Sequence, residues 1–129
     1  MSKRAVLLYS PRAHRAGSRL EEVLAAVVPK QATEIVHTHE DLANSLARPN
    51  NGLEVAVIMA ASRKELGELQ PLSQMLEELR IILVLPDSQP QTISQAHRLR
   101  PRYLTLMGSD FQDVAAVLIK LRERSPGFL

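Results

Sequence analysis

The sequence predicts an α/β fold, a parallel β-sheet covered by helices on both faces. Three observations predict it. Five short, buried-looking apolar runs occur, at Arg4–Tyr9, Glu34–His37, Glu54–Met59, Arg80–Leu85 and Arg102–Met107. A polar or Pro/Gly-bearing turn follows each run, and apolar residues at helical spacing follow each turn. Strands that alternate with helices imply parallel pairing with crossovers on both sides of the sheet.

The helix starts carry capping signatures. Ser18-Arg19-Leu20-Glu21, Ser62-Arg63-Lys64-Glu65 and Ser109-Asp110-Phe111-Gln112 each place a serine three residues before a Glu or Gln. In that pattern the two side chains satisfy free amides of the first turn. Thr38-His39-Glu40-Asp41 is a looser version. The first helix presents Leu20, Val23, Leu24, Val27 and Val28 to the sheet and stops before Pro29. The second turns Leu42, Ala43 and Leu46 inward and ends at the turn cluster Arg48-Pro49-Asn50-Asn51-Gly52.

Pro71 interrupts the third helical region. A short turn is expected from Ser62 to about Leu69, and a main helix from near Pro71 with Leu72, Met75, Leu76 and Leu79 buried. The fourth helix spans Gln91–Leu99, with Ile93, Ala96 and Leu99 inward, and Pro101 ends it. The last, Asp110–Arg124, buries Phe111, Val114, Ala115, Leu118 and Leu121. Val117 and Ile119 widen its apolar arc beyond one face, which fits either deep packing or a partner surface. The tail Ser125-Pro126-Gly127-Phe128-Leu129 is expected to fray.

A chain of 129 residues fits a single domain spanning 1–129, and no repeat, linker or low-complexity segment divides it. Charge is nearly balanced, at 16 Lys+Arg against 14 Asp+Glu, so nothing points to nucleic acid. The absence of cysteine removes disulfides, thiol nucleophiles and thiolate-bound metals. No apolar stretch approaches the roughly 20 residues needed to cross a bilayer. The expected compartment is the cytoplasm.

The five-fold βα alternation, the length and the strand texts resemble a response-regulator receiver domain over essentially the whole chain. Arg102-Tyr103-Leu104-Thr105 is similar to the Asp-Tyr-Leu-Thr run that precedes the receiver's lysine. The resemblance implies a three-layer, flavodoxin-like (βα)5 fold with strand order 2-1-3-4-5. It also implies phosphoryl transfer to an aspartate ending strand three, assisted by Mg²⁺ on acids after strand one. Here those acids fall on Tyr9 and Ser10, and the phosphoacceptor falls on Met59. The Ser/Thr position after strand four falls near Leu85 or Pro86, and the lysine falls on Leu106. None of these supplies a carboxylate for a hard cation. What the resemblance leaves is a pseudo-receiver, a scaffold without switch chemistry, with no cofactor and no metal.

Three constellations remain. Arg12, His14, Arg15, Ser18 and Arg19 surround the first βα turn, where Gly17 and Ser18 open a helix. They form either a solvated basic loop or a site for an anionic, phosphate-bearing ligand. His37 and His39 straddle Thr38, and helix-start polarity explains them without a metal. His97, Arg98, Arg100 and Arg102 run from helix four into strand five. In receivers the surface of helix four, strand five and helix five is the usual dimer and partner face. Arg98, Arg100, Tyr103, Val117 and Leu121 are the expected contact residues here, for a protein partner or a second copy. Among strand ends only Asp87 is acidic, and an aspartate there commonly caps the next helix. No nucleophile stands with its base, so no catalytic residue is expected. The expected function is a phosphorylation-independent interaction module in bacterial-type signalling; the alternative is a small-molecule sensor or enzyme that takes an anionic, phosphorylated ligand at the basic first βα loop.

Overall fold

The structure, a computed structural model, describes residues 5–11, 15–49 and 52–123. Five strands form one parallel sheet: β1 (Ala5–Tyr9), β2 (Thr33–Val36), β3 (Leu53–Met59), β4 (Arg80–Leu85) and β5 (Tyr103–Leu106). Their order is β2-β1-β3-β4-β5, the flavodoxin-like and receiver-like winding. Register is set strand by strand, for example Tyr9 beside Val36 on one side and Ile58 on the other. Met59 pairs with Val84, and Leu85 with Leu106.

Among the described residues six α-helices cover the sheet: α1 (Arg15–Ala25), α2 (His39–Ala47), α3 (Arg63–Glu68), α4 (Ser73–Leu76), α5 (Pro90–His97) and α6 (Gln112–Glu123). Successive strand residues point to opposite faces, and the core splits accordingly. Leu7, Tyr9, Ala56, Ile58, Ile81, Leu83 and Leu85 face α2, α3, α4 and α5. Val6, Leu8, Val55, Val57, Met59, Ile82 and Val84 face α1 and α6. Burial on both faces explains why the central strands β1, β3 and β4 are mostly apolar, whereas the edge strand β2 carries Thr33 and Glu34.

Local chemistry explains most helix boundaries. Thr38 caps α2 by accepting from the Asp41 amide at 3.0 Å. Ser62 caps α3 through the Glu65 amide at 3.2 Å, while Glu65 reaches back to the Ala61 amide at 3.1 Å. Pro90 opens α5, where its missing N–H costs nothing. Gly52, closing the turn before β3, has φ 74°, a left-handed conformation that glycine adopts freely.

Four expectations are corrected. Ser18 does not start the first helix, which begins at Arg15, so Ser18 is exposed inside it and its capping box does not form. Gly17 is also inside α1, where a Cβ would meet the Pro11 carbonyl and Ser10 Cβ at 3.3 Å. Its absent side chain lets the helix lie directly on the end of β1. The third region never becomes a long helix: α3 gives way to a 3₁₀ turn at Gln70–Leu72 and then the four-residue α4. Leu72 and Leu76 are buried, but Met75 is exposed. The last helix begins at Gln112 because Phe111 adopts φ 64°. Ser109 therefore accepts from the Phe111 amide at 2.9 Å instead of capping at Gln112.

Candidate functional site

In a sheet wound this way, ligands bind beyond the carboxyl ends of the strands, where the winding reverses between β1 and β3. β1 delivers Tyr9 and Ser10 to that edge, β3 delivers Met59 and Ala60, and β5 delivers Leu106 and Met107. Tyr9 is buried, which raises the pKa of its phenol, and the charges of Glu65 and Glu68 raise it further. Ser10 is fully buried, and its Oγ donates to Glu21 Oε2 at 2.8 Å. His37 Nδ1 donates to the Ser10 carbonyl at 2.9 Å and lies 3.9 Å from Glu21 Oε2. These contacts tie β1, β2 and α1 together. They also spend the Ser10 hydroxyl on a carboxylate and His37 Nδ1 on the backbone, which is not the pairing of a nucleophile with its base.

Met59 is fully buried in the apolar layer under α1 and α6. At the end of β4, Asp87 accepts from Thr92 Oγ1 at 2.6 Å and from the Gln89 amide at 3.0 Å. The Thr92 hydroxyl, then that amide, then the charge of Arg63 hold its carboxyl below the usual range. Asp87 thus organises the entry to α5. Leu106, by contrast, is exposed.

Arg19 closes the crevice between α1 and the β5–α6 loop. Its Nη2 donates to the carbonyls of Met107 at 2.9 Å and Ser109 at 3.0 Å, and its guanidinium lies over the Phe111 ring. Behind that loop Asp113 gathers the hydroxyls of Tyr103 at 2.9 Å and Ser109 at 3.1 Å. Burial pushes the Asp113 carboxyl up, but hydrogen bonds from Thr105, Tyr103, Ser109 and the Val114 amide outweigh it and hold the carboxyl low. Sequence reasoning missed both features. The Arg19 contacts span 88 and 90 positions, and no local pattern marks them.

The structure brings only part of the first basic constellation into view. Arg12 and His14 lie outside the described residues. Arg15 is exposed at the start of α1, Ser18 is one turn further along, and Arg19 turns inward. His37 and His39 diverge, since His39 Nε2 donates to the Glu68 carbonyl at 2.6 Å on α3. Among the described residues no group of three His, Cys, Asp or Glu side chains could hold a metal ion. At the other surface Arg98 and Arg100 are exposed, whereas Tyr103, Val117 and Leu121 are half-buried against the core. Ile119 and Leu106 are the large apolar side chains exposed on that flank. No helix among the described residues is long and apolar enough to cross a membrane.

No protein family matches the chain, and no curated protein matches it by sequence. Solved structures do match by shape. One is a protein described as related to pilus assembly, from Burkholderia pseudomallei K96243, with a TM-score of 0.64 and 18% identity. That match covers 95% of this chain and 91% of the other. Another is the signal receiver domain of a protein described as the response regulator NarL, from Mycobacterium tuberculosis, with a TM-score of 0.53 and 15% identity. It covers 95% of this chain and 99% of that domain. At such identity the likeness establishes a receiver-like fold, and what the neighbours do is not carried over by it.

Proposed function

We propose that this chain is a pseudo-receiver, a protein-interaction module that works without phosphoryl transfer. What supports this is the carboxyl edge of the sheet, which carries Tyr9, Ser10, Met59 and Leu106, the residues that the resemblance to a receiver would set against two acids, an aspartate and a lysine. Methionine cannot form an acyl phosphate, and Arg19 occupies the space beside the β5–α6 loop with contacts to Met107 and Ser109. The fold likeness to a receiver domain supports a signalling role. The likeness to a pilus assembly-related protein makes components of such an assembly the first partners to test.

The proposed contact surface is α5, β5 and α6, using Arg98, Arg100, Tyr103, Val117 and Leu121 for a partner or a second copy. Arg100 supports it: this exposed residue is held at φ 55°. Strain of that kind in a non-glycine residue is held by the surrounding structure and clusters at functional sites. Exposed Ile119 adds apolar area beside it. The test is Arg98→Glu combined with Ile119→Asp, with mass by light scattering and capture of pilus-assembly components as readouts. Loss of self-association or capture in a folded variant supports the surface, and retention of both rejects it. Incubation with acetyl phosphate and Mg²⁺ should leave the intact mass unchanged, and a stable phosphoryl adduct would overturn the pseudo-receiver reading.

A further inference from the structure

We infer that the groove between α3 and α5 takes an acidic polypeptide segment. It rests on the reading of this chain as an interaction module and gives the chemistry of one partner. The groove measures about 770 Å³ and is walled by Arg63 and Lys64 from α3 and by Gln91, Ser94, Gln95 and Arg98 from α5 and its end. On the α3 side Gly67 lies next to Gln95, whose Nε2 would make ordinary contact, at 3.6 Å, with a Cβ placed there.

Among the described residues three cations line this groove and no carboxylate does. Arg63 is held in place by the Gln91 side-chain carbonyl. The carboxylate that acts on Arg63 is Asp87, which is already bonded to Thr92 and the Gln89 amide. Neither Lys64 nor Arg98 forms an ion pair with another described residue. Elsewhere a surface arginine finds its acid within the fold, as Arg48 does with Glu34 at 2.6 Å. Like charges gathered without internal partners create a field that attracts a complementary chain.

The lining also selects the kind of chain. Gln91, Gln95 and Ser94 offer donors and acceptors suited to a peptide backbone. Among the described residues no aromatic ring lines the groove, so they offer no stacking platform of the kind single-stranded nucleic acid uses.

The test uses a short fluorescein-labelled polyglutamate peptide and the full chain, read by fluorescence anisotropy at low and high salt. We expect a saturable rise at low salt that Arg63→Glu/Lys64→Glu weakens roughly tenfold or more, as a reversed charge pair should. The charge-matched control Lys30→Glu/Lys120→Glu should bind like the parent chain. Absence of a saturable rise overturns the inference. So does equal weakening by both variants, which would mean diffuse attraction, or tighter uptake of a single-stranded oligonucleotide of equal charge. The mutated side chains are exposed, and circular dichroism verifies each fold. If the peptide fails to bind while the α5–β5–α6 surface still supports association, the groove inference falls and the proposed function stands.

Discussion

The guanidinium of Arg19 lies 5.1 Å from the centre of the Phe111 ring, joining the first helix to the residue just before the last. Phe111 is fully buried although its φ of 64° is costly for a bulky residue, on the order of 1–3 kcal/mol. Ring burial and the arginine above it offset that strain. Arg19→Ala removes this stacking and two charge-assisted hydrogen bonds, and should cost about 2–3 kcal/mol in urea unfolding. Arg19→Lys should recover less than half of that, because an ammonium cannot both stack and fork between two carbonyls.

Asp113 makes the fold acid-sensitive. Its carboxyl is held below the usual range, so the charged form is favoured in the folded state. The stabilisation is therefore complete above the ordinary carboxylate pKa near 3.9 and is lost as pH falls through the lower folded value. Thermal melts of Asp113→Asn should show a shallower decline below about pH 4 than the parent chain. At neutral pH that variant should be less stable by about 1–2 kcal/mol, allowing for solvent screening of a partly exposed site.

Arg100 sits where glycine would be the relaxed choice, three residues past the end of α5 with its amide bonded to the His97 carbonyl at 3.0 Å. Arg100→Gly should raise stability by about 0.5–1 kcal/mol in chemical denaturation. If Arg100 contacts a partner, the same substitution should weaken association. A variant that is more stable and still associates fully would show that the Arg100 side chain is not needed for contact.

Gly17 is a packing site. Any branched side chain there must displace the Pro11 carbonyl or Ser10. Gly17→Val should lower the urea midpoint by an amount equivalent to about 1–3 kcal/mol, the usual cost of overpacking. The Ser10–Glu21–His37 network, seated directly beneath, should loosen with it, visible as faster amide exchange at Ser10.

The sequence made the centre of the sheet legible because both of its faces are buried there, which writes β1, β3 and β4 as nearly continuous apolar runs, while the edge strands β2 and β5 are shorter and carry Glu34 and Thr105. Residues such as Ile81 to Leu85 admit no other reading between Arg80 and Pro86. Thr38 and Ser62 were legible as caps because capping is local, decided within four residues. The same local logic failed at Ser18 and Ser109, where distant packing decided the helix starts. Helix α1 runs back to Arg15 over the end of β1, and Phe111 gives up helical geometry to reach the core. The candidate site was legible only as missing chemistry at Tyr9, Ser10 and Met59. That Arg19 fills the space, and that Arg98 shares a groove with Arg63 and Lys64, depends on contacts between elements far apart in the chain.

The sheet separates Leu66 and Leu76 on one side from Leu20 and Leu118 on the other, with strand backbone between them. Energetically the molecule is thus two thin interiors bolted to a common plate. Truncating Leu66 and Leu20 together should cost the sum of the single losses to within about 0.5 kcal/mol, since the two sites share no neighbours. The helices on one face could therefore drift in sequence toward a new partner while the opposite face keeps the chain folded.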